Sequence, residues 1–242
     1  VPSTGGPRQQ SNTLSTRPDF SAMQSYLKSA AAPNREGINA LHAWQFAGGK
    51  GQGTKFIDIE YDWNEGHEDL KPKSIFSSPV SGAYTTSQFL SSPAARYATK
   101  LHGTALLSIL LGQHNGFGIN GIVPHAEWGF GRVTSNTTQA AAIFNSAFQL
   151  AEGDALLLEQ QTVTDCIPFT GAQCFMASEY TQAVYDSIQS AVAKGITFVE
   201  PAGNGAVNLD LYLTRDYSID PNLGNSKTVS GSGAVMVAAR TQ

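Results

Sequence analysis

The stretch Leu101-His102-Gly103-Thr104-Ala105-Leu106-Leu107-Ser108-Ile109-Leu110-Leu111 sets a histidine and a glycine directly before an apolar run of helix-forming length. The run is too short to cross a membrane, so it reads as a helix buried inside a globular domain. On that reading His102 stands at the helix mouth, where a side chain can face a cleft. Gly103 lets another backbone approach closely, and Thr104 can satisfy an orphan amide of the first turn. A lone histidine in such a place is more often a packed core side chain. Its meaning depends on what the neighbouring stretches supply.

Outward from this helix, the same grammar repeats. Thr54-Lys55-Phe56-Ile57-Asp58-Ile59 reads as a strand, preceded by a short amphipathic helix over Gly37 to Trp44. Glu127 to Val133 reads as another strand, after which Thr137 or Thr138 caps a helix running to Ala151. Ala155-Leu156-Leu157-Leu158-Glu159-Gln160 is a strand apolar on both faces. Tyr180, Ala183, Val184, Ile188, Ala191 and Val192 recur at helical spacing, and Gly195 stops that helix. Ile196 to Val199 and Ala234 to Ala239 are further buried strands. Strands that alternate with helices and lack polar alternation form a parallel sheet covered on both faces. The expected fold is α/β, a three-layer doubly wound sandwich with a mainly parallel sheet. Ligands of such sheets bind beyond the carboxyl ends of the strands.

Composition narrows the function. A chain of 242 residues can form one large domain with a sizeable core. A net charge of −4 with only 14% charged residues argues against nucleic acid and against an anionic membrane surface as partners. Residues 1 to about 33, rich in Ser, Thr, Pro and Gln, read as an extended arm, with one short helical possibility around Phe20 to Ala31. Residues 34 to 242 form the organised domain. The start at Val1 reads as a processed end. Cys166 and Cys174, spaced across Pro168 and Gly171, suit a local disulfide in an oxidising compartment, which predicts a secreted, extracellular protein.

Three features fall at the carboxyl ends of strands or beside them: Asp58, His102, and Pro201-Ala202-Gly203-Asn204-Gly205. A carboxylate can fix an imidazole tautomer, the imidazole can take a proton from a nucleophile, and an amide can stabilise an oxyanion. Phe56-Ile57-Asp58, His102-Gly103-Thr104 and Ala202-Gly203-Asn204, in that order, resemble the Asp, His and oxyanion-Asn motifs of subtilisin-like serine proteases. His67-Glu68-Asp69-Leu70 and Gly121-Ile122-Val123-Pro124 resemble lesser marks of that family, and the resemblance covers roughly residues 36 to 239.

The resemblance implies a serine endopeptidase with Asp58, His102 and Asn204 as catalytic residues. It also has departures. Asp58-Ile59-Glu60 stands where the family has Asp-Thr/Ser-Gly, and the nucleophile motif Gly-Thr-Ser-x-Ala is missing. Three explanations follow: a nucleophile on a second polypeptide produced by processing, a fragment, or a catalytically inactive binding module that kept the fold. The first is expected, with that C-terminal piece as partner and a protein or peptide as substrate.

By the same resemblance, Leu158, Glu159 and Gln160 on one side and Pro201, Ala202 and Gly203 on the other bind an extended substrate. Glu159, if it faces the cleft rather than solvent, would favour a basic side chain. The loop from Gln113 to Ile119 resembles a family calcium loop. Asp69 and Asn115 would give side-chain oxygens to the metal, and Gln113, Phe117 and Ile119 backbone carbonyls. The competing reading is a plain glycine turn.

Overall fold

The computed structural model describes residues 17–30, 37–70, 92–134, 137–165, 173–206, 209 and 231–238. In chain order the elements are α1 (Ala40–Ala43), β1 (Lys55–Glu60), α2 (Pro93–Leu111), β2 (Glu127–Arg132), α3 (Gln139–Gln149) and β3 (Ala155–Leu158). They continue with β4 (Gln161–Asp165), β5 (Gln173–Ala177), α4 (Gln182–Ala193), β6 (Thr197–Pro201) and β7 (Val235–Val237).

Five of the strands make one sheet in the order β2-β1-β3-β6-β7, every neighbouring pair parallel. The chain leaves β1 through α2 to reach β2 on one side, then returns through α3 to β3 on the other. The order therefore reverses between β1 and β3, and a crevice opens there at the carboxyl ends. One face packs Phe56, Trp63 and Trp128 against Leu107 and Leu111 of α2. The other packs Ile57, Ile59, Leu156 and Phe198 against Ile143 of α3 and Val184 and Ile188 of α4. The expected three-layer α/β sandwich is the observed one. Ile57, Leu107, Ile143, Leu156 and Ile188 are fully buried, and truncating such a side chain to alanine costs about 2–5 kcal/mol.

Several boundaries differ from the sequence reading, for local reasons. The central helix begins at Pro93, so His102 lies mid-helix rather than at its mouth. Proline suits a first helical turn, and the alanines after it favour helix without adding any apolar periodicity. Thr104 meets no amide of its own helix. Its hydroxyl donates to the Lys100 carbonyl and accepts from the Asn64 amide of the loop after β1. The first helix shrinks to Ala40–Ala43, with Asn39 in the left-handed region at φ 62° before it. In the arm, two short 3-10 turns, Ser21–Met23 and Ser25–Leu27, replace the longer helix. The arm is tied down: Gln24 is buried and its side chain brackets the Asn120 backbone, while the Phe20 amide donates to the Gly118 carbonyl at 2.8 Å and the Gly118 amide to the Pro18 carbonyl at 2.9 Å.

β4 and β5 pair as an antiparallel hairpin apart from the main sheet. Cys174 lies on β5 opposite Thr164. Cys166 lies outside the described residues, among which there is no free cysteine.

Candidate functional site

Residues of β1 alternate between the two faces of the sheet. Ile57 and Ile59 enter the core under α3 and α4, whereas Phe56, Asp58 and Glu60 turn towards α2. The two carboxylates therefore share a face but differ in depth by two residues, roughly 6.6 Å along the strand. Glu60, at the strand end, reaches His102: its Oε1 lies 2.5 Å from Nδ1. Its Oε2 accepts from the Tyr61 amide at 2.7 Å, and the carboxylate is almost completely buried. Because a carboxylate only accepts, Nδ1 carries the proton and Nε2 is left as the proton acceptor.

Asp58, expected as the partner of His102, makes no hydrogen bond to it in this structure; the carboxylate bonded to His102 is Glu60. Asp58 is buried one step deeper, where Trp63 Nε1 donates to its Oδ2 at 2.6 Å and Oδ1 has no hydrogen-bond partner among the described residues. Burial pushes its carboxyl well above the usual range, against the Trp63 bond. The sequence did not single out Glu60, because a two-residue period sets it on the same sheet face as Asp58.

Gly103 holds the loop after β1 against α2. A β-carbon there would fall 2.4 Å from the Asp62 carbonyl oxygen and 3.0 Å from the Trp63 ring. The close backbone approach expected at this glycine is present, and it places Glu60 beneath the imidazole. The Glu60 hydrogen bond chiefly, and the nearby carboxyls of Glu60, Glu159 and Asp58, raise the His102 pKa, while its partial burial opposes them.

A cleft of about 650 Å³ opens over this pair. It brings together His102, Glu159, Gln160, Pro201 and Asn204 of the expected residues. Glu60, Tyr61, Ala98, Thr99, Gln161, Val163 and Phe175 line it as well. The hairpin residues could not be placed from sequence, because its short strands carry too little alternation to announce a pairing. Leu158 does not reach the cleft: it is fully buried in the core under α3 and α4. Ala202 and Gly203 shape the wall without lining it. The Ala202 amide donates to the Val237 carbonyl of β7 at 2.8 Å, and Gly203, at φ 95°, lies so close to β5 that a β-carbon would sit 2.4 Å from Met176 Cα. The Asn204 amide then donates to Gln161 Oε1 at 2.7 Å. Thus the segment that carries Asn204 is held by β7 on one side and by the hairpin on the other.

The loop after α2 is built around Asp69. Its Oδ2 accepts from the Ile119 amide at 2.9 Å and its Oδ1 from Asn115 Nδ2 at 3.1 Å. Asn115 Oδ1 accepts from the Phe117 amide, and the Gln113 amide donates to the Asp69 carbonyl. Both carboxylate oxygens thus face N–H donors, and the side-chain amide of Asn115 presents nitrogen rather than oxygen to Asp69. A calcium shell here would require Asn115 to turn its oxygen inward beside the Gln113, Phe117 and Ile119 carbonyls. No cluster of three or more His, Cys, Asp or Glu able to hold a metal occurs among the described residues. We expect Asp69→Ala to lose about 2–3 kcal/mol of stability by orphaning two donors, with the melting temperature of the parent protein indifferent to chelator. A melting temperature that rises with added calcium would restore the metal reading.

No family model and no curated protein matches the chain. Among solved structures it is similar to an S41 psychrophilic protease, at 18% identity and a TM-score of 0.40, and to sphericase, at 19% and 0.40. Each alignment covers 64% of this chain and 47% of the other, so the chain spans about half the length of the structures it matches.

Proposed function

We propose that the protein is the part of a serine endopeptidase that supplies the general base and the oxyanion donor. The observation that carries this reading is the His102–Glu60 hydrogen bond at the mouth of a cleft that Asn204 also lines. Glu60 orients His102 and stabilises the imidazolium that forms when Nε2 takes the nucleophile's proton. Asn204 donates to the carbonyl oxygen as it becomes an oxyanion. The sequence has no Gly-Thr-Ser-x-Ala, and no serine lines the cleft among the described residues. On this reading the nucleophile is supplied by residues outside this sequence, either further along the same chain or on a second polypeptide that joins the domain after processing. Two cysteines spaced for one local bridge, and no free cysteine among the described residues, support a Cys166–Cys174 disulfide and a secreted protein.

A serine-directed fluorophosphonate should label the assembled protein on a polypeptide carrying Gly-Thr-Ser, and His102→Ala should abolish labelling. Thiol titration in denaturant without reductant should find no free thiol. The alternative reading is an inactive binding module that kept the fold. A complete protein that neither labels nor hydrolyses peptides, yet binds them, would establish that module instead.

A further inference from the structure

We propose that Glu159 is the specificity-determining residue of this cleft and that it receives a cationic side chain, lysine or arginine, from an extended peptide. The inference rests on the protease reading only in taking a peptide as the occupant.

The position of Glu159 is set by the sheet. It follows β3 at the point where the strand order reverses, and its amide donates to the Ile59 carbonyl at 3.2 Å, which fixes the backbone. Its half-buried carboxyl makes no hydrogen bond or ion pair among the described residues. The other carboxylate of the cleft is already engaged, Glu60 by His102 and by the Tyr61 amide. No lysine or arginine lines the cleft among the described residues. Two carboxyls thus face one imidazole, and the uncommitted one lacks a counter-charge.

The neighbouring surfaces suit the rest of such a side chain. Val163 and Phe175, cross-strand partners on the hairpin, line the cleft together with Pro201. Apolar walls leading to a carboxylate accommodate the aliphatic stem of lysine or arginine while its charged end finds the acid. Burial, reinforced by Glu60 and opposed by His102, raises the Glu159 pKa to about 7. Among the described residues, the titratable groups that act on it or share its cleft are Glu60 and Asp58 of β1, Tyr61 just after β1 and His102 of α2, whereas the hairpin and the Asn204 segment bring none. A bound cation would favour the ionised form and expel a proton near neutral pH.

The test is calorimetric binding of two peptide amides, alike except for a terminal arginine or norleucine, to the full chain. The arginine peptide should bind about tenfold tighter at pH 8, the usual scale for a charged hydrogen bond. This preference should shrink at pH 5.5, and proton release on binding near pH 7 should appear as a buffer-dependent enthalpy. Glu159→Gln should erase the preference at both pH values and reduce the proton release. Equal binding of the two peptides, or an arginine preference that survives Glu159→Gln, overturns the proposal and leaves the protease reading standing. Failed fluorophosphonate labelling overturns the protease reading and leaves the charge preference intact. Failure of both peptides to bind overturns both.

Discussion

If the proposed protease reading holds, Glu60→Gln is expected to lower kcat by about 10⁴-fold, the scale seen when a triad acid is made neutral without moving it. The glutamine can still meet His102 but no longer dictates the tautomer or stabilises the imidazolium. Asp58→Asn should lower kcat less than about tenfold, because asparagine keeps the acceptor for Trp63 Nε1 and burial already favours the neutral acid. The contrast separates two carboxylates on one face of one strand.

The same pair of variants has a readout that needs no activity. His102 titrates above its ordinary value chiefly through the Glu60 bond. Its pKa, followed by NMR, should fall in Glu60→Gln and move little in Asp58→Asn. The rate should climb as pH rises past the raised pKa, since only the neutral imidazole is a base, and this limb should shift to lower pH in Glu60→Gln. The raised pKa also stabilises the fold. That contribution is fully present below the unfolded-state pKa and disappears as pH rises through the folded value. A large kcat loss in Asp58→Asn with none in Glu60→Gln would reverse the assignment.

Asn204→Ala is expected to lower kcat by roughly a hundred- to a thousand-fold with KM nearly unchanged. The bond that fixes this segment uses the Asn204 backbone amide, not its side chain, and Gly203 and Ala202 hold their own contacts. Alanine preserves all of these, so stability should change by no more than about a kilocalorie per mole. Measured together, turnover and thermal melting on this variant distinguish an oxyanion donor from a turn residue. An unchanged kcat in a well-folded Asn204→Ala protein would remove the oxyanion role.

Much of the layered fold was legible without coordinates. Ile57, Ile59, Leu156, Leu158 and Phe198 read as unbroken apolar strands because both faces of their sheet are covered. Val184, Ile188 and Ala191 keep helical spacing because one stripe of α4 is buried, and Gly195 ends it in the left-handed region at φ 84°. Thr138 caps α3 through the Ala141 amide, as a threonine before a helical pattern should. These are local rules, and each is satisfied by residues close together in sequence.

Long-range partnerships were another matter. Sequence alone indicated a parallel sheet, the alternation of its strands and helices along the chain, and the presence of a histidine and an acid near the strand ends. It could not choose between Asp58 and Glu60, because a two-residue period places both on the same face. Only tertiary structure decided that choice: Trp63 occupies the space above Asp58, and Gly103 draws α2 down until His102 meets Glu60. It also decided that Asp69 gathers N–H donors, that Leu158 turns into the core, and that Glu159 faces the cleft. Depth, reach and the direction of a side-chain amide arise from packing between segments far apart in the chain, and no local pattern records them.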